Sequence, residues 1–389
     1  MYRIGKEEIE AVARVMYAKD FFKFNSTYHE AICAEEDMRR IFDTKYPLLM
    51  TSGHAALVSG LTAMGVGPGD EVIVPAYTYI ATAMAVVAVG AIPVIAEIDE
   101  TMTLCPIDTE RKITKHTKAI IPVHIQGFPC NMDALKALSD KYGVKILEDA
   151  CQADGAEYHG KKLGTVGDAG VLSFNFFKVI SAGEGGALFT DDKSIYERAL
   201  IYHDSNGVAF FGDQLSTVDQ TVFCGNEYRT NDITAAILRV QFTRLDGIVA
   251  DLRKNKREIM RLLGDSCSFV PSNDSEGDLG STFGIRFESA EKADAFVIAH
   301  GSCRRPINTG KHVYSNWTPI MNKVGALNPL MDPYKMEANK DIIPDYKPDM
   351  CPKSIDLLSR TVLFSVNPDW TAEECAAAAE KIKNTLANI

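Results

Sequence analysis

Short apolar runs of strand length alternate with helix-periodic segments through the first two thirds of this 389-residue chain. That alternation narrows the possible folds more than any single motif does. "HAALVSGLTAMG" places Leu57, Leu61 and Met64 on one helical face, and "DEVIVP" follows as a strand after a glycine-proline turn. "KAIIPVHI", "VKILEDA" and "VLSFNF" read as further buried strands, and "MDALKALSDKYG" as a helix closed by Gly143. Strands and helices in turn imply an α/β fold, a large three-layer domain with helices on both faces of a mostly parallel sheet. After about residue 250 the pattern changes: "DLRKNKREIMRLLG" is a charged helix leading to "STFGIRFES", "AEKADAFVIAHG" and "RTVLFSV". Thr371 and Glu374 form a capping box for a last helix. The expected division is a large domain over residues 1–250 and a smaller C-terminal α/β domain over 251–389. Residues 310–352, rich in Pro, Asn, Tyr and Met, read as an irregular, substrate-facing loop.

Charge and cysteine usage exclude several function classes. With 41 Lys and Arg against 52 Asp and Glu, the formal charge is -11 and no basic block could track a phosphate backbone, so nucleic acid is not an expected partner. "AMAVVAVGAIPVIAEI" is broken by Gly90 and Pro93 and falls short of the roughly 20 residues that span a bilayer, which makes it core rather than a membrane segment. The first helix lacks a signal-peptide core, and nine scattered cysteines without a C-x-x-C pair suggest reduced thiols and no metal site. A cytoplasmic protein is the expectation.

In open α/β sheets, ligands bind beyond the carboxyl ends of strands, and four segments there carry chemistry. "MTSGHAAL" opens a helix at Ser52 and Gly53, where free N–H groups favour a phosphate, although Ser52 also suits a plain N-cap. Tyr79 in "VPAYTYIAT" could stack on a flat ring or fill the core. Asp149 ends an apolar strand, a poor site for a carboxylate without a cation or protonated nitrogen, and Gln152 follows three residues later. In "SFNFFKVISAGEGG", Lys178 follows Phe174 and Phe176, whose alternation suggests burial; a lysine in a low-dielectric site readily loses its proton and attacks aldehydes. Together these supply what pyridoxal 5'-phosphate requires: a Schiff-base lysine, a carboxylate for the pyridine nitrogen, a stacking plate and a phosphate cradle. His124, at a strand end beside Gln126, reads equally as a satisfied core histidine and as a residue near substrate.

These segments, with "EIDE", "GNEYRTNDITAAIL" and "RTVLFSVNPDWTAEE" in the same order, resemble the DegT and StrS sugar aminotransferase family of fold-type I pyridoxal phosphate enzymes. The resemblance implies that Lys178 forms the Schiff base and then moves the proton. It further implies that Asp149 pairs with the ring nitrogen, Gln152 with the ring hydroxyl, and that Tyr79 stacks on the ring. Ser173 and the backbone at Gly53 and His54 would hold the phosphate, and Asn226 would reach the cofactor of a neighbouring subunit in a homodimer with shared sites. Glu184 stands at the family's acid, with loop-fixing by backbone hydrogen bonds as its favoured role; Arg229 would orient a donor carboxylate or brace the interface. Lys311, His312 and Tyr314 match an acceptor-facing region.

The implied reaction carries an amino group from glutamate or glutamine to a keto or aldehyde sugar, or to a related keto acid or cyclitol. Two departures stand out. His54 replaces a usual threonine, and "YHDSNGVAFFGDQLSTVDQTVF" lacks the family's short pattern after its histidine. A dehydratase of the same family would characteristically carry histidine in place of Lys178, and a ligand-binding sensor would usually carry a DNA-binding appendage.

Overall fold

The computed structural model describes residues 3–24, 26–205 and 220–389; most of the departing stretch after His203, residues 206–219, lies outside them. Strands β1 (Tyr46–Met50), β2 (Glu71–Pro75), β3 (Ile92–Ala96), β4 (Thr117–Ile120) and β5 (Lys145–Asp149) come first, and a small hairpin of β6 (Glu157–Tyr158) and β7 (Lys161–Lys162) follows. After β8 (Ala169–Ser173) and β9 (Gly186–Thr190), the central sheet is complete, in the order β1-β9-β8-β5-β4-β2-β3. Only β9 runs against its neighbours: it pairs antiparallel with β1 and β8, while the other pairs are parallel. The expected mostly parallel sheet is present, and strands covered on both faces explain why these runs read as continuously apolar.

The two-residue period of a strand divides the core into layers. Leu48, Val72, Val74, Leu147 and Leu188 point to one side, where Leu57 and Leu61 of the helix Gly53–Ala63 and Leu200 of Lys193–Tyr202 meet them. Leu49, Ile73, Ile146 and Phe189 point to the other, against Met38, Leu135 and Phe242 of the helices Glu30–Phe42, Met132–Tyr142 and Asp232–Leu263. Gly143 closes the helix Met132–Tyr142 in the left-handed conformation, at φ 69°.

The charged helix expected after residue 250 is the second half of a 32-residue helix, Asp232–Leu263, whose length is about 48 Å at about 1.5 Å per residue. Beyond it, β10 (Ser268–Phe269), β11 (Thr282–Arg286) and β12 (Thr361–Ser365) form an antiparallel sheet in which Phe283 and Phe364 stack at 4.9 Å. The capping box of Thr371 and Glu374 is in place on the helix Ala372–Leu386. The reading of residues 310–352 as a loop facing substrate needs correction beyond its start at Lys311 and His312. They form short turns laid on the edge of the first sheet: Tyr314 N donates to Ala76 O, Tyr346 Oη to Pro93 O, and Trp317 is fully buried.

One buried polar cluster fixes the end of β5. Glu148, fully buried, accepts from the backbone N–H groups of Gly164, Val166 and Gly167 at 3.0, 2.6 and 2.5 Å. His124 Nε2 lies 3.0 Å from its carboxylate, and His124 Nδ1 accepts from Cys130 N, which places the imidazole proton on Nε2. His124 is therefore the satisfied core histidine. Breaking a buried pair of this kind by removing one partner typically costs about 3–5 kcal/mol, so Glu148→Ala is expected to lower the urea midpoint by a corresponding amount. An unchanged midpoint would show that the cluster contributes nothing to the fold.

Candidate active site

The carboxyl ends of the central strands open on a cavity of about 710 Å³. Gly53, His54, Tyr79, Asp149, Gln152, Ser173, Lys178, Glu184, Lys311 and His312 all line it. Residues spread over two thirds of the sequence thus meet because each follows a strand or turn ending on the same side of the sheet.

The phosphate-cradle segment has both roles weighed for it. Ser52 Oγ accepts from Ala55 N at 3.0 Å, a true N-cap, and the helix behind it presents its first N–H groups beside Ser173. Gly53 is required by space: a Cβ there would lie 2.7 Å from Cys151 Sγ and 2.9 Å from Ser173 Cβ. His54 opens onto the cavity, where burial holds its imidazole below the usual histidine range despite a backbone hydrogen bond at Ala81 and the charge of Asp149.

Asp149 is buried but not alone. Its Oδ2 accepts from Thr82 Oγ1 at 2.8 Å, Thr82 is in turn 2.8 Å from Thr78 Oγ1, and its Oδ1 accepts from Cys151 N at 3.2 Å. Thr82 was not legible as a site residue, because a threonine inside an apolar helix reads as core. Gln152 Oε1 accepts from Gln126 N, and Gln126 Oε1 accepts from Arg304, which also donates to Ser365 Oγ. Gln126 reaches this position with φ 57°, a left-handed conformation rare for a residue with a side chain. Arg304, a cavity-lining cation, has no sequence signal.

Several expectations are corrected. Phe174 is buried, but the strand ends at Ser173, and Phe176 and Phe177 are exposed, so Lys178 stands on a turn at the cavity edge and is half-buried. Glu184 faces the cavity and makes no hydrogen bond that fixes its loop among the described residues; Ser181 does that, donating to Phe174 O and accepting from Gly183 N. Arg229 lies outside the cavity lining, paired with Asp204 and Glu227 and stacked 4.9 Å over Phe22, which makes it a brace. Tyr314 is fully buried, its hydroxyl donating to Pro348 O and accepting from Cys351 N, and it cannot face an acceptor. Lys311 and His312 do reach the cavity, with the Lys311 ammonium 4.7 Å from the ring of Tyr79 and His312 5.4 Å from it. Asn226 is exposed and lies outside this chain's cavity lining.

The residues present fit pyridoxal phosphate. Gly53, with no room for a Cβ, opens a helix N-terminus, Asp149 is a buried and oriented carboxylate, and Lys178 lines the same cavity. Fold and site together define the class, the fold-type I enzymes that use this cofactor. The chain belongs to the DegT/DnrJ/EryC1/StrS aminotransferase family, whose model matches residues 2–315. It is 36% identical over 238 residues to an L-glutamine:2-deoxy-scyllo-inosose aminotransferase of Streptomyces paromomycinus, a match spanning 60% of this chain and 56% of that relative. Among solved structures it resembles 3-amino-5-hydroxybenzoic acid synthase, at 26% identity and TM-score 0.80 over 100% of this chain and 98% of that one. It also resembles S. venezuelae DesV in complex with a ketimine intermediate, at 25% identity and TM-score 0.79, covering 98% of this chain and 95% of that one.

Burial is the largest influence on both cavity histidines, and it lowers the pKa of His54 and His312 alike. Each binds its proton more readily in the unfolded chain, so the cofactor-free protein is expected to lose stability as pH falls below about 6.5. An NMR titration of its imidazoles should give midpoints below that value for both residues. Midpoints at or above it would show that the cavity does not hold them neutral.

Proposed function

We propose that this protein is a pyridoxal phosphate-dependent aminotransferase that moves an amino group from L-glutamine or L-glutamate to a keto sugar or cyclitol. The observation that carries this reading is one cavity lined by Lys178, Asp149, Gln152 and the helix start at Gly53. When bound, the cofactor would supply an electron-accepting ring that stabilises charge at the donor carbon.

The chain's own residues would do the rest. Asp149, oriented by Thr82 and Cys151 N, would keep a proton on the ring nitrogen. Gln152, held by Gln126 N, would hydrogen-bond the ring hydroxyl. The N–H groups at Gly53 and His54, with Ser173, would hold the phosphate at a helix N-terminus. Tyr79 would cover the ring face. Lys178 would take a proton from one carbon and return it to another, general acid-base catalysis worth about 10²- to 10⁴-fold. Lysine at this position disfavours the dehydratase reading.

Glu184, Lys311 and His312 would meet the substrate. A cyclitol or sugar acceptor is favoured by the glutamine-dependent relative, and glutamine by the same comparison. We further propose a homodimer, with the exposed Asn226 reaching the partner's cofactor phosphate, and a division of the chain into residues 1–250 and 251–389. No helix among the described residues is long and apolar enough to cross a membrane, which suits a cytoplasmic enzyme.

Titrating the protein with pyridoxal phosphate is expected to produce a visible absorbance band that L-glutamine or L-glutamate converts to a near-ultraviolet one. Lys178→Ala should abolish the band and lower amino transfer by at least about 10²-fold. A band that persists in the variant would rule out Lys178 as the linking residue. If sites are shared, a mixture of Lys178→Ala and Asn226→Ala chains should regain activity that neither has alone; no recovery on mixing would exclude the contribution of Asn226 across a dimer.

A further inference from the structure

Two side-chain amides in the cavity wall have only one way to face. Gln152 Oε1 meets the backbone N–H of Gln126 at 3.0 Å, and Gln126 Oε1 meets the guanidinium of Arg304 at 2.8 Å. A backbone N–H and a guanidinium donate and never accept, so each amide must turn its oxygen toward them. The Gln152 amide nitrogen is the end left over: it has no partner among the described residues, and the residue lines the cavity. A group that binds there meets an N–H donor and must bring an acceptor oxygen.

The donor that sets this orientation depends on a backbone shape rare for glutamine. Gln126 has φ 57°, and Gly127 beside it has φ 83°. Both are held from the C-terminal part of the chain. Ser281 Oγ donates to Gln126 O at 3.3 Å, Leu279 N donates to Gly127 O at 3.1 Å, and a Cβ on Gly127 would lie 2.5 Å from that of Leu279. These contacts reach the backbone, and Arg304 takes the side chain. Arg304 is itself tied down: its N and O bond Leu363 O and N at 3.2 and 2.8 Å, and its other terminal nitrogen donates to Ser365 Oγ at 2.7 Å. Leu363 and Ser365 both belong to β12. Arg304 makes no ion pair among the described residues, and both side-chain oxygens that it holds are neutral.

We infer that Arg304 is a positioning residue that locks the Gln152 amide through Gln126, so that the C-terminal sheet decides which end of that amide the cavity presents. The charge of the guanidinium strengthens its bond to Gln126, and that bond keeps the left-handed residue from swinging its N–H away. An amide released from that N–H is free to present its oxygen, which repels the acceptor that the nitrogen attracts. The lock concerns the chain alone. Its consequence for the cofactor rests on the proposed contact of Gln152 with the ring hydroxyl, where a fixed N–H donor favours the ionised oxygen.

Amide hydrogen exchange of the cofactor-free, full-length protein, read by NMR at Gln126, tests the lock. Arg304→Met should speed exchange there by at least about tenfold, the factor that a hydrogen bond to a charged group typically contributes. The amides of His124 and Leu363, bonded to Asp149 O and Arg304 O, should exchange as in wild type and report that both sheets persist. Gln126→Met removes the other partner of the same bond, so it should give a similar change, and the double variant no more than either single one. Unchanged exchange at Gln126 in Arg304→Met, or additive effects in the double variant, would overturn the lock. With pyridoxal phosphate bound, Arg304→Met should raise the pH up to which the visible band persists, by about half a unit. A band lost at the same pH in both proteins, beside faster exchange at Gln126, would overturn the extension to the cofactor and leave the lock standing. A wild-type protein that forms no band would count against the proposed function, and the exchange result would still decide the lock.

Discussion

The site depends on the buried carboxylate of Glu148. A charge with no access to water holds its place only if its oxygens are filled, and here three backbone N–H groups and His124 fill them. The donors come from the loop between the hairpin and β8, and His124 comes from the end of β4, so one side chain binds the ends of three neighbouring segments. Asp149 is the next residue on the strand and points into the cavity. Its direction is a by-product of the anchoring beside it.

Around that anchor, the cavity is built by relays rather than by single contacts. Thr78, Thr82 and Asp149 form one line of hydrogen bonds, and Gln152, Gln126, Arg304 and Ser365 form another that crosses from the first sheet to the second. Gln126 accepts a left-handed backbone conformation to complete the second relay. Such strain persists where surrounding structure fixes it, and it clusters at working sites. Any rearrangement of the C-terminal sheet would therefore be felt at Gln152 through no more than two intervening side chains.

Much of this was legible in the sequence, and the reasons differ by residue. The strands could be read because burial on both faces leaves them almost wholly apolar, and the helix ends because Gly143 and Thr371 have local physical roles. Lys178, Asp149 and Gly53 could be read because each lies at or soon after a strand end, where chemistry concentrates in this architecture. What local pattern cannot carry is direction and distant pairing. Phe176 alternates with Phe174 in sequence, but Phe174 N donates to Gly185 O and the chain then turns away, leaving Phe176 in solvent. Arg229 and Tyr314 looked available for substrate until Asp204 and Pro348 proved to hold them. Arg304 is recognised only through Gln126, far away in sequence.

The helix Asp232–Leu263 has a further consequence for how the chain is made. Its first half is the surface on which the N-terminal helices rest: Asp232 accepts from Glu30 N and Ala31 N, Arg239 pairs with Glu30 and Asp37, and Gln241 and Arg244 bind the segment from Arg3 to Glu8. On a ribosome the first helices emerge early and their dock emerges only past the middle of the chain. Lys23 and Glu35, buried in the finished molecule, must stay hydrated until then. Synthesis from the N-terminus usually lets early segments fold first; here the start of the helix at Glu30 waits for Asp232, 202 residues further on.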